Sequence, residues 1–96
     1  MGDTEDRVMG LLVARCAISL LEAGMAPNKA AAMDSVADWA VAHEVSFAET
    51  LSMLVMMFGA VREVCLTKGF DILSALHAGV KVVEAELVAQ GAVIPS

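Results

Sequence analysis

Basic residues are scarce in this chain. Six Lys and Arg stand against twelve Asp and Glu among 96 residues, leaving a formal net charge of -6 and a pI near 4.6. Proteins that hold phosphates by bulk charge carry the opposite sign, so nonspecific nucleic-acid binding is not expected. Proline is almost missing: Pro27 and Pro95 are the only two, and no Pro-rich or Ser-rich linker, low-complexity run or internal repeat divides the chain. At about 100 to 200 residues per domain, residues 1–96 make a single helical domain. Cysteine occurs twice, at Cys16 and Cys65, each among apolar neighbours where a free thiol acts as a small buried hydrophobe.

The patterns that carry chemistry are missing as well. A metal site needs His, Cys or carboxylates at helical spacing or a CxxC pair, and His43, His77, Cys16 and Cys65 share neither. No Gly-Lys-Ser/Thr or GxGxxG run offers a phosphate cradle. His43, Glu44 and Ser46 are too close together on one turn to face each other as base, orienter and nucleophile. His77, beside Lys81 and Glu84, reads as a solvated helix position. The expectation is a non-enzyme with no cofactor and no metal.

No uncharged, strongly apolar run exceeds the dozen residues from Thr50 to Val61, whereas a spanning helix needs about 20. The start, Met1-Gly2-Asp3-Thr4-Glu5-Asp6, is acidic where a secretory leader is basic, and Asp6 replaces the Ser or Thr of a myristoylation signal. The chain is expected to be unprocessed, cytoplasmic and without a membrane helix.

What is present is apolar surface. Hydrophobic residues make up 58% of the chain, and the mean hydropathy is +0.72. Four helical segments hold them. The first runs over 4–23, capped by Asp3 or Thr4 and stopped by a left-handed Gly24, with Val8, Leu11, Leu12, Ile18 and Leu21 inward and Arg15, Ser19 and Glu22 wet. Asn28 caps a second over 29–42, with Met33, Val36, Ala37 and Ala40 inward and Asp34 and Asp38 outward. Ser46-Phe47-Ala48-Glu49 has the spacing of a capping box and starts a third that continues to Lys68 and stops at Gly69. Asp71 caps a fourth over 72–90, striped by Ile72, Leu76, Val80, Val83 and Leu87. Gly91 ends it before a short apolar tail. With no Asn-Gly or Asp-Gly hairpin and no sustained alternation, the fold class is all-α.

The third helix is apolar on every side over Met53–Val61, and a helix of that kind must be surrounded by protein. It is therefore expected at the centre of a compact bundle. A small bundle seats about three positions in seven per helix, so the surplus calls for a neighbour, most simply a two-fold copy. The expected contact residues are Trp39, Met53, Met56, Met57, Phe58 and Arg62. Trp39 could equally pack in the core. Arg15 and Arg62 have no acid within reach on their own helices and are expected to pair across an interface or to snorkel at its edge. Gly10, Gly59 and Gly79 sit inside helices, where glycine costs about 1 kcal/mol, and the notches Gly10–Ala14 and Ala75–Gly79 suggest close helix crossings.

These features describe a cytoplasmic homodimer, or higher oligomer, that binds another protein as an adaptor, accessory or regulatory subunit, chaperone-like protein or inhibitor. Two other readings fit. Ala40, Glu44, Val45 and Ser46 fall where a helix-turn-helix has its small, turn, apolar and recognition-helix positions, a resemblance to a motif and not to a family. Glu44 replaces the turn glycine, Thr50 takes a branched aliphatic position, and 46–52 holds one acid and no base, against groove reading. The other reading is a bundle that encloses an apolar small molecule between methionine-lined helices.

Overall fold

The helices begin and end where local chemistry directs them. Asn28 accepts from the Ala31 N–H, Ser46 from Glu49 and Asp71 from Ser74, each at 3.1 Å, so each side chain satisfies an amide with no partner inside its helix. Gly69 closes the third helix in the left-handed conformation (φ 73), its N–H reaching the Cys65 carbonyl at 2.9 Å. Around Gly91 (φ 88), Ala92 donates to the Leu87 carbonyl and Gly91 to that of Val88, the paired bonds of a Schellman stop.

The computed structural model describes residues 2–69 and 71–94. It holds α1 (Gly2–Gly24), α2 (Lys29–Ala42), α3 (Phe47–Lys68) and α4 (Ile72–Ala89), with no strand among the described residues. Two expected ends are corrected. Asp3 and Thr4 lie inside α1 instead of capping it, and Gly24 ends α1 without a left-handed turn, which among described glycines belongs to Gly69 and Gly91 alone. The tail does not trail away: Ala92 and Ile94 pack on the core, while Pro95 and Ser96 lie outside the described residues.

The central helix is α1, not α3. α1 packs against each of the other three, α3 and α4 pack on each other, and α2 leans on α1 alone among the helices. Both core clusters are built on it: Leu11 and Ile18 with Leu76, Val80 and Leu87, and Leu12, Val13 and Cys16 with Val45. Of α3 only Thr50 and Cys65 are buried, and of α2 nothing, so Met33 and Ala37 of its expected inner stripe are exposed. The reason is the spread of apolar positions and charge pairing. Leu11, Leu12, Val13, Cys16, Ala17 and Ile18 of α1 are all buried, on more than one side of the helix. Arg15 meets Glu84 of α4 at 2.6 Å, and Glu22 faces His77 at 3.6 Å. The face of α1 expected to be wet is thus a polar seam onto α4.

The molecule measures 38 × 33 × 20 Å. With a helix about 10–12 Å across, it is a slab two helices thick, and α2, α3 and α4 keep open faces.

Candidate functional site

The apolar side chains of α3 divide into two sets. Met53, Leu54, Met57 and Val61 turn inward and are half-buried. On the adjoining flank, Phe47, Leu51, Val55, Phe58 and Leu66 repeat at intervals of three, four and eight. They stay 68%, 42%, 72%, 44% and 72% exposed. Arg62 occupies the gap before Leu66 on the same flank, exposed and with no ion pair among the described residues. Taking about 150–200 Å² for each large side chain when fully open, the stripe presents on the order of 500 Å² of apolar surface.

The structure separates the six expected contact residues. Met56, Phe58 and Arg62 are exposed. Met53 and Met57 instead pack against the two core clusters, so a charge placed there would disturb the fold before any interface. Trp39 is half-buried on the second cluster, its ring stacked on that of His43 with centroids 4.2 Å apart. His43 Nδ1 donates to the Trp39 carbonyl at 2.9 Å. Missed in the sequence were Phe47, Leu51, Val55 and Leu66. Their three-and-four spacing was there to read, but an all-round apolar helix offers several such stripes, and only packing selects the open one.

Among the hollows beside α3 are two lined mostly by apolar side chains. α2 and α3 diverge over α1 and leave a cleft of about 470 Å³, floored by Cys16, Leu20 and Thr50 and rimmed by Met33, Val41 and Phe47. Thr50 is buried there without penalty, its hydroxyl donating to the Ser46 carbonyl at 2.9 Å. A groove of about 400 Å³ lies between α1, α3 and α4 and is almost wholly apolar. Both small-residue notches open onto it. A Cβ added at Gly10 or Gly79 would meet nothing within 4 Å, so the expected close helix crossings do not exist within this chain.

The corner between α2 and α3 turns through Glu44, at φ 57 the left-handed residue there, with the Val45 N–H on the Ala40 carbonyl at 2.8 Å. The two helices it joins do not pack on each other. Among the described residues no three of His, Cys, Asp and Glu gather as a metal site requires. Arg15, expected either to pair across an interface or to snorkel at its edge, is engaged by Glu84 within the chain. Comparison with protein-family models, with curated proteins and with solved structures returns no match to this chain.

Proposed function

We propose that the protein is a non-catalytic helical interaction module that works as a homodimer through the open flank of α3 and serves a second, cytoplasmic protein as an accessory or regulatory subunit. One observation carries this reading: the chain exposes 6350 Å², whereas a folded 10.0 kDa monomer exposes about 5200 Å². The excess, roughly 1100 Å², is comparable with the ~800 Å² that one partner contributes to a stable interface. The stripe on α3 supplies its apolar part, since about 65% of a homodimer interface, or ~500 Å² a side, is nonpolar.

The stripe also suits a second copy of itself. If two α3 helices cross antiparallel about a two-fold axis between Val55 and Phe58, Phe47 faces the partner subunit's Leu66. Leu51 then faces the partner subunit's Arg62, and Val55 the partner subunit's Phe58. Each contact recurs with the roles exchanged, as an isologous interface demands. Arg62 lies toward the rim, where its aliphatic stem covers Leu51 and its head stays in water.

By length and overall composition alone α3 is a candidate membrane span. Its uncharged centre, Thr50–Val61, covers only about 18 Å at 1.5 Å per residue, against ~30 Å of hydrocarbon. Arg62 and Glu63 would fall inside the bilayer, which favours protein as the cover.

The test is Val55→Glu together with Phe58→Glu, two substitutions on exposed side chains. Light scattering is expected to give twice the chain mass for the unsubstituted protein and the single-chain mass for the variant, with helix content unchanged. Equal masses would overturn the assignment of this flank. Duplex DNA binding that falls steeply with salt would favour the helix-turn-helix reading instead.

A further inference from the structure

The groove between α1, α3 and α4 is independent of the outer flank of α3. Its floor is Leu11, Leu76 and Val80, and Met53 and Met57 form the α3 wall. Among its lining residues Arg7 alone is ionisable. Arg7 is exposed, makes one 3.4 Å hydrogen bond to the Gln90 side chain, and pairs with no carboxylate among the described residues. An apolar trough with a single cation on its lining matches a ligand with a hydrocarbon tail and an anionic head.

Dimensions and charge together narrow the class of occupant. Along α4 the lining runs from Ala75 to Val83, about 12 Å at 1.5 Å per residue. Spread over that length, the ~400 Å³ open to the centre of a water molecule gives a slot roughly 6 Å wide for that centre, or about 9 Å between the lining atoms once a water radius of about 1.4 Å is added on each side. An α-helix, about 10–12 Å across, would rest on the mouth of this trough without filling it. A single hydrocarbon chain, whose carbons take neighbours at about 3.5–4.0 Å, fits. With carbon–carbon bonds of about 1.5 Å, roughly ten carbons span the slot. The volume lies inside the ~300–1,000 Å³ range of small-molecule sites, and methionine side chains adapt readily to a flexible tail.

We propose that this groove binds a long-chain carboxylate, its acyl chain laid along Leu11, Leu76 and Val80 and its head group on the Arg7 guanidinium. Gly10 and Gly79 leave the room the chain occupies, which gives their place inside helices a purpose. The ligand touches neither Val55 nor Phe58, so binding and self-association can fail separately.

The test uses full-length protein carrying ¹³C-methyl methionine, titrated with dodecanoate below its micelle concentration. Saturable shifts of the Met53 and Met57 methyl signals at one ligand per chain are expected, with Met56, on the exposed side, unmoved. Dodecyltrimethylammonium, of the same tail and opposite charge, is expected to bind at least tenfold more weakly. Arg7→Gln should remove that preference, and Gly79→Leu, which fills the slot, should abolish the shifts. Gly79→Leu binding as the unsubstituted chain does, equal affinity for the two head groups, or shifts spread equally over Met56 would each overturn the proposal. So would loss of self-association in Gly79→Leu, which would assign the groove to a second copy. If Gly79→Leu does not keep its helix content, Arg7→Gln, at an exposed position, decides through the charge preference alone.

Discussion

At the scale of single residues, glycine shows how much a position depends on its surroundings. Gly59 lies exposed in mid-α3, and a Cβ there meets nothing within 4 Å, so Gly59→Ala gains helix propensity at no steric cost. It is expected to stabilise by about 0.8–1.0 kcal/mol. Gly69, held at φ 73, is the opposite case. Gly69→Ala is expected to cost about 1–2 kcal/mol, because a Cβ crowds the left-handed conformation. In a domain of this size each kcal/mol moves the melting temperature by about 4–8 °C, so two thermal melts should shift in opposite directions. Both glycines were visible in the sequence as a helix interior and a helix stop. Gly24 reads just like Gly69 there, yet it makes no left-handed turn, because a stop signal does not reveal which backbone conformation delivers it. Thr50 was legible as a misfit in a branched apolar position. Its burial becomes intelligible only once its hydroxyl is seen on the Ser46 carbonyl.

At the scale of elements, the starts of α2, α3 and α4 were readable because one side chain sets each of them within three residues of sequence. Ser46→Ala is expected to cost about 1 kcal/mol through the lost bond to the Glu49 amide, measured by chemical denaturation. How the elements pack was not readable, because stripes on different helices look alike until they meet. The wet face of α1 and the polar ladder of α4 were each legible alone, but their union in the Arg15–Glu84 and Glu22–His77 contacts was not. That seam orients α4 more than it stabilises it. The Arg15 and Glu84 side chains remain 28% and 40% exposed, so their attraction is screened by water. A double-mutant cycle with Arg15→Ala and Glu84→Ala is expected to give a coupling of no more than about 1 kcal/mol, decreasing in salt.

At the scale of the whole molecule, composition announced a surplus of apolar side chains. It was expected on α3, both at the centre of the bundle and against a neighbour. α1 takes the centre instead, because its buried apolar positions spread over more than one side, and a slab two helices thick has too little interior for both, which leaves a flank of α3 open. Half-buried Met53 and Met57 and exposed Val55 and Phe58 occupy one apolar run of sequence, and only the third dimension separates core from surface. Sedimentation equilibrium of the unsubstituted chain from about one to one hundred micromolar tests the shared flank most directly. A mass rising with concentration from 10.0 kDa toward twice that value, or already there, is the expected result. A single species of one chain across the whole range would contradict it.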